Sequence, residues 1–549
     1  MEDEQVSSDH SESSGWTSYF CDSFKPACFE VTWEHSLDEL PLHVAVLHDD
    51  ANAVRKLLES EAFAHTNGAP IHEAIRRGNL DIVDLLLKHD AYVHIRAPDG
   101  FGELSVSAIT IAVELGHVLI VQALLDAGAD PAVADPGTLG IAAELGHKNV
   151  IEVLLQWSRS TRVPLDKNDA LENAAREWQV NATWTILEDG VNNKNALNDA
   201  LISAVDSRLW ARSLIVPFYV KFETAYRTRQ TSVMKMLLDA GADPNHKYHP
   251  RSHWEATMIH KLHDLNSSIT PLQAAASASG SADAVKLLLE RKATVDLVDK
   301  FGQSPLFYAT LSNDIEIVKT LLKWGANIGE RNTKLYTPLH MATQFSSPPI
   351  AILLLDRGAD PVAKNANGET PLHTAAHGSF ELNLETMQSL LQRGADVNER
   401  TKEGWTPLIH AVECNSETRC RFLLENGADV NATTKCNETA LQRAIRHGTS
   451  VPVVNVLLEY GANLVGPNQD SALHWAVESQ RPEAMVQCLL DHDVDPDVRD
   501  KYGATPLINS VKTRAFRPDW AINTSLIKLL IRKGADVGAV DNQGLSEKS

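Results

Sequence analysis

The chain has 549 residues, 43% of them hydrophobic and 22% charged, with a formal net charge of −22. That balance belongs to a folded chain rather than a disordered one. The acidic excess excludes a general affinity for nucleic acid or anionic membrane, either of which needs clustered Lys and Arg. The longest apolar run, LIVPFYV at 214–220, is too short to cross a bilayer, and MEDEQVSSDHSESS at the start lacks the apolar core of a secretory signal. Six cysteines (21, 28, 414, 420, 436 and 488) form no CxxC pair. Free thiols in a reducing compartment are expected, and with them an intracellular, monomeric protein of cytoplasm or nucleus that carries no cofactor.

Residues 1–36 hold eight acids against the single base Lys25, interleaved with Trp16, Tyr19, Phe20, Phe24 and Trp33. They are expected to be a partly disordered acidic–aromatic segment whose later part caps the first helices of the folded region. The alternative is a short recruitment segment.

From 37 to 245 the chain repeats a helix–turn–helix wording in eroded form. APIHEAIRRGNLDIVDLLLKHDA (69–91), SAITIAVELGHVLIVQALLDAGADP (107–131) and TLGIAAELGHKNVIEVLLQ (138–156) each give a short first helix with small residues, a turn, and an amphipathic second helix. A weaker unit falls near 171–190. Val205 to Gly241 then spans 36 residues where Thr310 to Gly325 spans 15, which predicts an insertion near 206–230.

A second insertion, 246–268, is rich in histidine: His246, His249, His253, His260 and His263. The spacing of His249 with His253 and of His260 with His263 would put each pair on one face of a helix, where it could ligate zinc. Pro250 opposes a continuous helix through the first pair, and a merely polar loop explains the composition as well.

From 269 to 540 the wording is regular. Thr270, Ser304, Thr337, Thr370, Thr406, Thr439, Ser471 and Thr505 recur at spacings of 34, 33, 33, 36, 33, 32 and 34. Each opens a [ST]-[PA]-L element, and GAD or GAN follows an apolar run such as IVKTLLKWG. Thr370 can cap a helix, and Pro371 suits its first position, whose missing N–H would have no partner anyway. Ala375 and Ala376 let a second helix approach closely. Gly394 and Gly427 supply the left-handed turn after that helix. Residues 541–549 form a tail.

Such a 33-residue unit, TPLHxAA…GADVN, resembles the ankyrin repeat, strongly over 269–540 and recognisably over about 40–245. About fourteen units fit. The resemblance implies an all-α solenoid of helix–turn–helix–hairpin units with the two insertions projecting from it.

The histidines of TPLH raise the question of catalysis. His373 stands at the third helical position, where its ring can reach back to Thr370. The equivalent positions hold His43, His72, His340 and His474, but also Phe307, Ile409, Gln273 and Gln442. A position that alternates with Phe and Ile is structural, and His117 and His147, each after a glycine, read the same way. Asp491, Asp493 and Asp495 have calcium-loop spacing, but Pro496 and Tyr502 occupy positions that need Gly and Glu. No phosphate loop or nucleophile elbow is present.

The resemblance implies that hairpin tips and first-helix ends form a concave partner-binding face. Those positions are Lys300, Phe301, Lys334, Tyr336, Phe345, Lys402, Trp405, Lys435, Arg446, Lys501 and Tyr502. Exposed aromatics there are expected as anchors, with Trp405 dispensable for stability. The implied function is a non-enzymatic scaffold or adaptor for a protein partner. The likeness to large arrays of filamentous fungi adds a transcription co-regulator role. The alternative is a metal-dependent enzyme or module built on 246–268.

Overall fold

In a computed structural model the described residues are 40–60, 69–91, 96–98, 105–132, 137–205, 223–248, 268–277, 282–345, 348–378, 384–447, 450–466, 470–479, 482–516 and 524–542. They form two compact units, Met1–Asp130 and Pro131–Ser549, whose division falls within the stretch of eroded repeats.

In the first unit, helices pair as Leu40–Leu47 with Ala51–Glu59, Ala69–Arg77 with Leu80–Lys88, and Ala108–Glu114 with Val118–Asp126. Asp50 and Asn79 cap the second helices by accepting from backbone N–H groups. Ile82, Val83 and Leu86 are buried on one such helix, Ile120, Val121 and Leu124 on another. An antiparallel ribbon joins Arg96–Pro98 to Ser105–Ser107. The acidic–aromatic segment 1–36 lies outside the described residues.

The second unit stacks eleven described pairs, from Thr138–Leu145 with Lys148–Thr161 to Pro506–Phe516 with Thr524–Arg532. The weak unit near 171–190 is a helix pair too, Lys167–Arg176 with Val180–Glu188. Asp166 replaces Thr as its cap, and the Trp178 indole N–H donates to the Ala204 carbonyl (2.7 Å) in the adjoining helix. In the regular repeats Leu339, Leu372, Leu408, Leu441 and Leu473 are all fully buried. At the exits of second helices Gly394 (φ 93°) and Gly427 (φ 89°) adopt the left-handed conformation.

Of the segment 206–230, residues 206–222 lie outside the described residues, and from Glu223 the chain is helical to Asp239. That helix has 17 residues where most second helices have 9. The histidine-rich stretch leaves and returns at one place. Tyr248 and Ile269 exchange both backbone hydrogen bonds, at 2.8 and 2.9 Å. His249, His253, His260 and His263 themselves lie outside the described residues.

Candidate protein-binding site

Between successive helix pairs of the regular repeats the chain makes a tight finger, and in several of them one side chain builds the turn. Asp299 accepts from the N–H groups of Phe301 and Gln303, both at 2.8 Å. Asn332 does the same for Lys334 and Tyr336 (3.0 Å each), and Asn365 for Asn367 and Glu369 (2.9 and 3.0 Å). A short Asp carboxylate or Asn amide oxygen thus closes the turn.

Neighbouring fingers are laced to one another. Thr333 N–H donates to Phe301 O (2.9 Å), Ala366 to Lys334 O (2.9 Å), Lys402 to Asn367 O (2.8 Å) and Lys435 to Glu403 O (3.0 Å). Satisfied backbone groups hold the tips in fixed register. On the far side Asn398 and Asn431 fasten consecutive repeats, each donating to a carbonyl and accepting from an N–H of the next.

Histidine ties fingers to helices. His340 Nδ1 accepts from the Thr337 backbone N–H (3.1 Å), so its proton lies on Nε2, which donates to the Glu369 carbonyl (3.1 Å). His373 spans Thr370 and the Trp405 carbonyl in the same way (3.1 and 3.2 Å), and His474 runs from Ser471 Oγ (2.8 Å) to Ala504 O (3.0 Å). Burial first of all holds His373 below the usual imidazole range and His340 at about 4. His340 and His373 are thus neutral links between repeats, and His474 makes the same connection.

The tip residues differ in what they do. Lys334, Lys402 and Lys435 are exposed. Lys300 and Lys501 lie over the rings of Phe301 and Tyr502, each at 5.0 Å. Tyr502 is 63% exposed and Phe345 46%. Tyr336 is half-buried, its hydroxyl donating to Glu369 Oε2 (3.2 Å). Trp405 is half-buried beneath Arg443, and exposed Arg446 reaches Glu438 at 3.4 Å.

Tyr336 and Trp405 also wall a cleft of about 290 Å³ with Gln344, Glu369, Thr374, His377 and His410. The ring centroid of His410 lies 5.4 Å from that of His373, 5.8 Å from His377 and 5.2 Å from Trp405. Both of its nitrogens are buried without a hydrogen-bond partner. Burial, then His373, His377 and Arg443, push its pKa down to about 3. Among the described residues no group of His, Cys, Asp and Glu is arranged to hold a metal. Of the residues that line the cleft Glu369 alone is an acid, and no Lys or Arg is among them.

His410 escapes the sequence reading because it stands one residue beyond the TPLH histidine. That position holds Tyr308, Met341, Thr374, His410, Arg443 and Trp475 in successive repeats. The signal is its variation within one chain, where the flanking Leu and Ala hold constant.

An ankyrin-repeat family model, written for three copies, matches residues 27–99, 42–135, 224–332, 330–399, 379–468 and 441–541. Over 72 residues the chain is 43% identical to the rice (Oryza sativa subsp. japonica) BTB/POZ domain and ankyrin repeat-containing protein NH5.2, covering 12% of this chain and 14% of that protein. Over 134 residues it is 32% identical to the fowlpox virus ankyrin repeat protein FPV022, covering 24% and 22%. The chain thus spans less than a quarter of the length of these curated relatives. Among solved structures, the human ASB11 ankyrin repeat domain is 29% identical with a TM-score of 0.36, covering 40% of this chain and 98% of that one.

Proposed function

This chain belongs to the ankyrin-repeat family, and from that premise we propose that it is a non-enzymatic intracellular scaffold gripping a protein partner along the fingers of its second unit. Ankyrin repeats are protein–protein interaction modules. The observation that carries the reading is the finger ladder. Backbone hydrogen bonds from Phe301 to Lys435 fix a row of tips, on which Lys334, Lys402 and Lys435 are exposed and further along which Tyr502 is largely bare. A row ordered before binding loses little conformational freedom on association, which favours affinity. Thiols at Cys414, Cys420, Cys436 and Cys488, none in a disulfide, support a reducing compartment. No described helix is long and apolar enough to cross a membrane. A co-regulator role rests on the acidic–aromatic residues 1–36.

The test is site-specific photocrosslinking in native extract, with the photoreactive residue at Lys402, Lys435 or Tyr502 and, for contrast, at Asp356 or Glu425 on second helices. Adducts of one protein concentrated at the three tips are expected, and Tyr502→Ala combined with Lys435→Glu should weaken them. Equal labelling from both sides, or labelling from the second helices alone, overturns the assignment.

A further inference from the structure

Arg443 is held by three residues in fixed register. Its Nε meets Glu413 Oε1 and its Nη1 meets Glu438 Oε2, both at 2.7 Å, and its Cζ lies 4.4 Å from the Trp405 ring centroid. Counted from the helix caps, Glu438 precedes its own cap Thr439, Trp405 precedes the previous cap Thr406, and Glu413 is seventh after Thr406.

Two repeats earlier the same three positions recur around Thr370. Glu369 precedes that cap, Tyr336 precedes the previous cap Thr337, and Gln344 is seventh after Thr337. Carboxylate, aromatic ring and polar side chain are all present, and all line the cleft. What differs is the residue in Arg443's place, Thr374, whose hydroxyl turns to the Pro371 carbonyl (3.0 Å) and to Thr343 (2.6 Å). Glu369 accepts from the Tyr336 hydroxyl and from Asn365 Nδ2 (2.6 Å), and no ion pair to it exists among the described residues.

We propose that this cleft receives the guanidinium of an arginine on the partner, stacked on Tyr336 and paired with Glu369, as Arg443 is housed within the chain. The proposal rests on the assignment of the finger row as the partner face and names the chemistry of one contact on it. A planar guanidinium satisfies a carboxylate by two parallel bonds and stacks on an aromatic face, which an ammonium does less well. An anionic group would meet the Glu369 carboxylate beside His373 and His410, whose rings burial holds below the usual imidazole range.

The full chain is titrated with N-acetyl-argininamide and with N-acetyl-citrullinamide, its uncharged isostere, followed by saturation-transfer NMR. Argininamide is expected to bind about tenfold more tightly than citrullinamide, the size of a charge-assisted hydrogen bond lost. Glu369→Gln, which keeps an oxygen for Asn365, should abolish the difference. Gln344→Glu, which restores the counterpart of Glu413, should tighten argininamide severalfold, a gain that misfolding cannot imitate. Equal binding of the two probes, no binding of either, or no gain with Gln344→Glu overturns the proposal. Photocrosslinks at the tips decide the wider reading separately.

Discussion

Arg443 lies over the Trp405 indole, 4.4 Å from its centroid, and clamps two carboxylates of successive repeats, Glu413 and Glu438. With its side chain only 13% exposed, the guanidinium depends on all three for its solvation. Trp405 is therefore a structural lid as well as a candidate anchor, contrary to its sequence-based reading as dispensable for stability. Trp405→Ala should lower the local stability of the Pro407–Glu413 and Ala440–Arg446 helices by about 2 kcal/mol, less than a fully buried Trp would cost. Hydrogen exchange of those amides measures it, since a repeat array need not unfold as one unit. Unchanged protection there would mean that the stacking contributes nothing.

The link between cap and next finger needs an acceptor at one end and a donor at the other, not an imidazole as such. Gln273 makes it with an amide: its Oε1 accepts from the Thr270 N–H (2.9 Å) and its Nε2 donates to Leu297 O (3.1 Å) and Gln303 O (2.8 Å). His373→Gln should accordingly change stability by less than about 1 kcal/mol, and His373→Ala, which strands buried backbone groups of Thr370 and Trp405, should cost about 1–3 kcal/mol. Urea titrations of the two variants distinguish the cases. Equal losses would show that ring packing, not hydrogen bonding, is what the histidine supplies.

The finger ladder has a weak point at Gly404. Its φ is +79°, and an added Cβ would stand 3.0 Å from the Lys435 backbone nitrogen and 3.3 Å from Thr434. Left-handed strain on a residue with a side chain is about 1 kcal/mol, and the clash would also pull on the Lys435 N–H to Glu403 O bond. Gly404→Ala should therefore speed exchange of the Lys435 amide while leaving the Leu408 amide, inside its helix, slow. Exchange rising equally at both would point to global destabilisation.

Wording that recurs in sequence proved to report an environment that recurs in space. Leu372 keeps one job across the regular repeats, and Thr370, His373 and Gly394 keep theirs wherever the residue recurs, so their positions were readable from the spacing alone. The residues around Arg443 were not. Tyr308, Met341, Thr374, His410, Arg443 and Trp475 share a position but no chemistry, and some of their partners come from the preceding repeat, as Thr343 does for Thr374 and Glu413 and Trp405 do for Arg443. Trp405 read as bare because its cover comes from Arg443, in the next repeat. Only the three-dimensional register shows that Glu369, Tyr336 and Gln344 repeat the surroundings of Arg443.

Neutral buried imidazoles make stability fall in acid. His340 is pushed from an ordinary value of 6.5 down to about 4, chiefly by burial. In the unfolded chain it takes up a proton as pH drops through 6.5, whereas in the fold it resists until about 4. The unfolded state thus binds more protons throughout that window, and stability declines as pH falls across it. The contribution is fully present above pH 6.5, about 2 kcal/mol of it is gone by pH 5, and about 3 kcal/mol at pH 4. His410, lowered to about 3, extends the same loss to lower pH. Urea midpoints at pH 7 and pH 5 should differ more for the native chain than for His340→Gln, which keeps the link without the titration. His410→Phe should be at least as stable as the native chain at pH 7, because it removes two unpartnered buried nitrogens, and its advantage should widen at pH 5. A native chain and His340→Gln variant that lose stability in parallel would place the acid sensitivity in the carboxylates instead.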